Sequence, residues 1–477
     1  MYKFFFKYIL LIPFFLITSS SCIAKDEIQP EKTSIKVLLN NRIINFEDIK
    51  DLILQNNLEL QSLKELVKAS SYNLSSKISQ RYPSLDLNAN GLPQYLYSEN
   101  NNNKSSDTKT SQFQINPTLT LKWDIINPQR GLEIKTAKDS FEIAKNNYAI
   151  KKQDLIQEAK FRYHKFQKSA QDEKNAQVAV DLSKKSVKDA KAKLDVGIGT
   201  KFEVLEANSQ LARDKQLFKE KTIIKEINLI SLKEIFNIDL NDALTINEKQ
   251  KLLGFWFHPL EKNIKTGLMN SFSLKNITLQ NSIKKNQAQN FRNANLPVIY
   301  ISNSLSSTFT KGSSLTSSID PSKSSSTYSN KISLNFAWNI YNGGQNNNSA
   351  KSKKSEAEAK NFEYLNLQNI VKTNISEAFL NLLKNKEKLI STKKEIIASQ
   401  EALRLSRLRY EVGISTLKDV LVRQKELTHA KSKNIEAVYN YNINLDKLER
   451  LTFLPKHNKC NDNNNSKVDL IYSICDY

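Results

Sequence analysis

Few side chains in this 477-residue chain have the types and spacing for covalent or metal chemistry. The four histidines, His164, His258, His429 and His457, share no ligand spacing, whereas metal sites draw His and Cys from short, regular intervals. No Ser/His/Asp or Cys/His set stands out, and neither a phosphate-binding glycine loop nor a cysteine cluster is present. The residues therefore predict no catalysis, no cofactor and no metal. Three cysteines remain. Cys22 lies in a start that reads as a secretory signal over residues 1–24: Lys3 and Lys7, an apolar run from Tyr8 to Ile17, then small residues from Thr18 to Ser21 leading to Ala24. Two fates stay open, cleavage after Ala24 or lipidation of the Cys22 thiol, with Ser19-Ser20-Ser21 standing where Leu-small-small is usual. Cys460 and Cys475 form an even pair past an export signal, where oxidation is allowed. A disulfide and two free thiols both fit.

Two acids stand at matched places in a repeat. Asp195-Val196-Gly197-Ile198-Gly199-Thr200 with Val204-Leu205 reappears as Glu411-Val412-Gly413-Ile414-Ser415-Thr416 with Val420-Leu421. Gly197 and Gly413 suit left-handed helix caps, and Thr200 and Thr416 suit N-caps of returning helices. Glu203 and Asp419 then fall in first turns, where negative charge favours the helix dipole. A repeat near half the chain length means two copies of one architecture. The net charge of +22 comes from 71 basic residues spread among 49 acidic ones. That is the pattern of wet helical surfaces, and with an export signal it argues against a nucleic-acid partner.

Past residue 24 no apolar run reaches the roughly 20 residues of a membrane helix, so any spanning must use strands. Residues 113–125 alternate throughout, with Phe113, Ile115, Pro117, Leu119, Leu121, Trp123 and Ile125 on one face and polar residues on the other. The second copy sets Tyr328, Ile332, Leu334, Phe336 and Trp338 against Ser329, Lys331, Ser333 and Asn335. An aromatic at each end about ten residues apart gives about 24 Å when tilted, near the ~25 Å apolar band of outer-membrane barrels. Lipid contact is expected at Phe113, Leu119, Leu121, Trp123, Tyr328, Leu334, Phe336 and Trp338. Partner strands begin at Tyr82-Pro83 and Leu296-Pro297, and the Asn/Ser-rich stretches from Glu99 to Thr110 and from Ser306 to Thr327 read as loops. Four strands cannot close a barrel, for which about eight is the minimum, so the chain must oligomerise.

Between Gly131 and Gly197, and between Gly344 and Gly413, no Gly or Pro occurs. Each run makes a helix of about 100 Å. The expected organisation is a signal (1–24), an N-terminal segment (25–45), a first repeat (46–240), a linker (241–265), a second repeat (266–454) and a polar tail (455–477). The first repeat holds strands at about 82–98 and 111–126, a long helix over 131–196 and a return helix over 200–240. The second holds strands at about 296–305 and 328–341, a long helix over 345–412 and a return helix over 416–453. The N-terminal segment and linker, with Trp256 to Pro259, are expected to form a girdle at mid-length.

With the duplicated order, the Trp338-Asn339-Ile340-Tyr341-Asn342-Gly343-Gly344 strand end and the glycine-bearing tips in place, the chain resembles the TolC-like outer-membrane efflux proteins over about residues 45–453. The resemblance implies a mainly α fold with membrane β: a homotrimer with a twelve-stranded barrel in outer-membrane lipid, continued by an α-helical periplasmic tunnel. It implies an exit duct for a tripartite efflux pump or type I secretion system, with a periplasmic adaptor (membrane fusion) protein and an inner-membrane transporter as partners. Small molecules or polypeptides would pass, without cofactor or catalysis. Family members latch the tunnel entrance by polar links between tips. Alignment on the Val-Gly turn matches Tyr410 to the latch aromatic, Asp419 to a lumen acid and Glu203 to the acid of the first copy. Ser415 stands where an Arg is expected and Val422 where a second acid often sits. The rival readings are a periplasmic adaptor and a non-conducting envelope spacer of coiled coil.

Overall fold

The computed structural model describes residues 43–100, 108–314 and 324–457. Cys22, Cys460, Cys475, the signal and most of the N-terminal segment and tail lie outside those residues. The elements run β1 (Ile43–Ile44), α1 (Ile49–Asn56), α2 (Leu58–Ser79), β2 (Ser84–Asn100), β3 (Thr108–Ile126), α3 (Arg130–Asp195) and α4 (Lys201–Ile235). The second half follows as β4 (Thr245–Ile246), α5 (Leu260–Asn270), α6 (Phe272–Asn293), β5 (Val298–Ser314), β6 (Ser324–Ala337), α7 (Gln345–Glu411) and α8 (Leu417–Thr452). Each half opens with a helix pair broken by a capping residue. Asn57 accepts from the Leu60 N–H, and Ser271 accepts from the Leu274 N–H.

β2, β3, β5 and β6 form one antiparallel sheet in that order. Its register carries one alternation across all four strands. Leu87 faces Leu119, Leu119 faces Leu305, Trp123 faces Ile301, and Ile301 faces Leu334. Directly opposed residues share a face, so these side chains join Phe113, Leu121, Tyr328 and Phe336 on one apolar surface. The other surface sets Asp86 against Thr120, Thr120 against Ser304 and Ser304 against Lys331. Ser302 and Ser333 hydroxyls lie 2.9 Å apart on it, and Asn335 donates to Ser302 at 2.8 Å. No core covers the apolar side: Leu87, Leu334 and Phe336 are 70%, 71% and 63% exposed in the single chain. Both outer strands, β2 and β6, leave their outer edges unpaired among the described residues.

Several strand boundaries differ from expectation: β2 runs to Asn100 and β3 begins at Thr108, both inside the stretch from Glu99 to Thr110 read as loop. β5 runs through Gly312 to Ser314 and β6 begins at Ser324, inside the stretch read as loop. Ser and Thr occupy both faces there, so no apolar alternation marks the strand, yet β3 supplies a pairing edge up to Thr110. At its other end β6 stops at Ala337, opposite Val298, and Trp338 lies beyond it. Pro297 precedes Val298 and has no N–H to extend the ladder. Trp338 instead donates its indole N–H to the Asn295 carbonyl at 2.8 Å.

The helices pack as two antiparallel hairpins, α3 with α4 and α7 with α8, with α8 lying against α3. Small residues permit that closeness: Ala159, Ala170, Ala190, Ala207, Ala378 and Ala437 are fully buried. α4 ends at Ile235, earlier than the expected position near 240, because Asn237 takes a left-handed φ of 53° and the Ile238 N–H turns back to Lys233. α5 starts at Leu260, six residues before the expected repeat boundary, since Pro259 presets an extended N-cap. Lys456 and His457, assigned to the tail by sequence, are docked. Lys456 reaches Asp446 at 3.0 Å, and His457 pairs with Phe255 through both backbone bonds. Among the described residues no helix is long and apolar enough to cross a membrane.

Candidate functional site at the hairpin tips

Each hairpin turns on a glycine that sequence marks. Gly197 has φ 81° and Gly413 φ 82°. Behind them the Ile198 N–H bonds the Lys193 carbonyl at 3.0 Å, and the Ile414 N–H bonds the Arg409 carbonyl at 2.8 Å. Both glycines face open space, so conformation and not crowding demands them. Thr200 and Thr416 then open capping boxes. The Glu203 N–H donates to the Thr200 hydroxyl and the Thr200 N–H to the Glu203 carboxylate, and Asp419 repeats the exchange with Thr416. Both acids are thus engaged on their own helix starts.

Asp419 takes more than its twin. Its Oδ2 accepts from the Thr416 hydroxyl at 2.8 Å, the Ser415 hydroxyl at 2.9 Å and the Thr416 N–H at 3.1 Å. The Thr416 hydroxyl first, then Ser415, hold its carboxyl below the usual range. Ser415, at the position where an Arg was expected, supplies a donor without a charge.

Tyr410 is 5% exposed, packed among Leu403, Leu417, Val420 and Leu421. Burial, then the charges of Glu203 and Asp189, push its hydroxyl up to about 12. That hydroxyl has no hydrogen-bond partner among the described residues. The residue is held elsewhere: the Lys193 ammonium lies 3.9 Å from its ring centroid and donates to its carbonyl. Lys193 belongs to α3 and Tyr410 to α7, so this contact fastens the first hairpin to the second. Arg407, one turn from Tyr410, buries an Nη2 that lacks a partner among the described residues. Burial lowers its pKa against the pull of Asp189 and Glu411. Sequence reading passed over both cations. Lys193 could have been found from the repeat, since it and Arg409 each stand four residues before the turn glycine.

Val196, Ile198, Phe202 and Leu205 at the first tip are 60–74% exposed, and Val412 and Ile414 at the second are each 69% exposed. The two tips thus present a polar fastening ringed by bare apolar side chains.

The sequence profile described as "Outer membrane efflux protein" matches residues 50–233 and 264–452, both repeats and nearly all the helical elements. The chain belongs to the outer membrane efflux protein family. This efflux protein is 24% identical over 189 residues to outer membrane protein TolC of Escherichia coli (strain K12), a stretch that is 39% of this chain and 38% of TolC. Its fold is similar to that of the outer-membrane channel OprN, with a TM-score of 0.72 and 16% identity over 85% of this chain and 89% of that one. It is similar as well to the Campylobacter jejuni CmeC outer membrane channel, with a TM-score of 0.70 and 17% identity over 85% of each chain. The family consists of outer-membrane channel proteins and not enzymes. The efflux protein accordingly belongs in the outer membrane, with its long helices on the periplasmic side.

Proposed function

We propose that three copies of this chain join their sheet edges into a twelve-stranded barrel and act as the exit duct of an efflux pump. The observation that carries this reading is the sheet itself. It has one apolar face without a core, one hydroxyl- and amide-lined face, and two open edges, and it leads straight into helices of 66 and 67 residues. Open edges are not tolerated in lipid, and four strands are too few to close alone. The unpartnered apolar residues of α4 (Ile223, Ile227, Ile230) and α7 (Phe362, Leu380, Leu383) supply further contact between copies along the tunnel. Small molecules or polypeptides enter at the tips from a periplasmic adaptor and an inner-membrane transporter. The exposed Val196, Ile198, Val412 and Ile414 offer the adaptor an apolar landing. Lys193 and Tyr410 hold the entrance narrow, and Glu203 and Asp419 add negative charge at its mouth. In a strain lacking the gene, dye efflux should fall and return with the wild-type chain. Unchanged efflux, with secreted polypeptides retained in the cell instead, would assign the duct to secretion.

A further inference from the structure

The sheet meets the helices at one well-marked level. There the Trp123 indole N–H donates to the Arg81 carbonyl at 2.9 Å, and the Trp338 indole makes the matching bond to Asn295. Tyr82 and Tyr341, 69% and 81% exposed, stand at the same end. Aromatic residues gathered so mark the boundary between hydrocarbon and water. Within two helical turns of this level, about 10 Å at helical rise, α2, α3, α6 and α7 and the adjoining turns hold a lopsided set of charges. Lys77, Arg81, Arg130, Lys135, Arg292 and Lys351, with Lys122 at the end of β3, face two acids, Glu133 and the β3 residue Asp124. The whole chain has 71 basic and 49 acidic residues, so the seven-to-two ratio belongs to this level and not to the composition. Lys77 is occupied by Glu133 at 2.9 Å, and Arg130 donates to the Asp124 carbonyl. Arg81, Lys135, Arg292 and Lys351 are exposed and have no acidic partner among the described residues.

We propose that this collar binds the headgroups of anionic phospholipids in the membrane leaflet nearest the helices. Guanidinium groups match phosphodiester oxygens in a two-pronged geometry, and lysines add point charge. Attraction to an anionic surface fades within a Debye length, roughly 8 Å, and the collar lies within about that distance of the aromatic belt. The aromatics set depth and the collar selects headgroup. The inference rests on the sheet being inserted in lipid, and the following experiment separates the two claims.

Full-length protein carrying Trp256→Phe, which leaves the indoles of Trp123 and Trp338, is reconstituted in vesicles containing brominated phosphatidylcholine or brominated phosphatidylglycerol at equal mole fraction. Quenching by either lipid reports insertion. A several-fold preference for phosphatidylglycerol reports the collar. The preference should fall to parity in Arg81→Gln/Arg292→Gln/Lys351→Gln and in wild type at 1 M salt, while inorganic phosphate at about a millimolar, too dilute to screen, leaves it in place. Quenching that is equal for both lipids in the wild type overturns the collar and leaves insertion standing. A preference that survives both the triple variant and high salt overturns it as well. If the triple variant fails to assemble, the salt titration of the wild type decides alone. A shift of reversal potential in the variant, without a headgroup preference in the wild type, would place these cations in the lumen and refute the proposal.

Discussion

Removing the ammonium of Lys193 should loosen the entrance while leaving the barrel intact. In Lys193→Ala the contact at 3.9 Å from the Tyr410 ring and the bond to the Tyr410 carbonyl are both lost. A partly exposed cation–π contact contributes about 0.5–1 kcal/mol. A charged hydrogen bond adds a comparable amount after solvent competition and side-chain ordering are discounted. The Tyr410 carbonyl keeps the Gly413 N–H, so no buried acceptor is stranded. The net change is about 1 kcal/mol per copy, or about fivefold in the balance between closed and open tips. If the three copies open together, about 3 kcal/mol becomes on the order of a hundredfold. Single-channel recording should therefore show a large rise in open probability, and cells should take up a large polar antibiotic that the wild type excludes. Lys193→Arg should restore closure, since the cation and donors remain. Lys184→Ala is the control, because it removes an equal charge from the same helix where Lys184 pairs only with exposed Asp181. Open probability in Lys193→Ala equal to wild type, or an equal rise in Lys184→Ala, would refute a fastening at Tyr410.

Leu121→Asp and Phe336→Asp each place a charge on the apolar sheet face, costing up to a few kcal/mol near the bilayer centre. Both should fail to appear as assembled protein in outer-membrane fractions, and normal insertion would show that this face does not meet lipid. Gly197→Val and Gly413→Val force a β-branched residue to φ near 80° at the tips. Binding of an adaptor, followed by pull-down, should suffer more than barrel assembly, and equal loss of both would mean a general folding role. Asp419→Ala removes a charge that, repeated around an axis, attracts cations to the mouth. Block by divalent cations should weaken, and unaltered block would leave Asp419 a helix-start acid only.

Sequence carried the long helices, their glycine ends and the Thr caps because each rests on local chemistry: a Gly- and Pro-free run, a positive φ, a hydroxyl three residues before an acid. The sheet faces were legible where apolar residues alternate, as from Phe113 to Trp123. They were not legible beyond Ser306, where Ser and Thr on both faces erase the period and only pairing with β3 fixes the strand. The tip fastening stayed hidden for another reason. Lys193 and Tyr410 are 217 residues apart, and neither residue's neighbours announce the contact. A second cluster, around Asp446, was hidden likewise. Asp446, 4% exposed, gathers His164 at 3.1 Å, Lys160 at 3.3 Å and Lys456 at 3.0 Å from two other parts of the chain. Burial works against its charge, but the His164 hydrogen bond and the two lysines outweigh it and hold the carboxyl well below its usual range. No periodicity foretells such a cluster. A buried acid held by a histidine and two lysines fixes Lys456 in place, in a segment that composition alone marks as tail.

The proposed duct is a closed, water-filled path made by several copies of this chain. Planar-bilayer recording on the purified, detergent-extracted protein, with its particle mass measured by light scattering in the same sample, tests it most directly. Three chains per particle are expected, with discrete single-channel steps whose open probability rises in Lys193→Ala. Particles that insert into the bilayer yet carry no current, or a protein that stays monomeric and extracts with buffer alone, would contradict it.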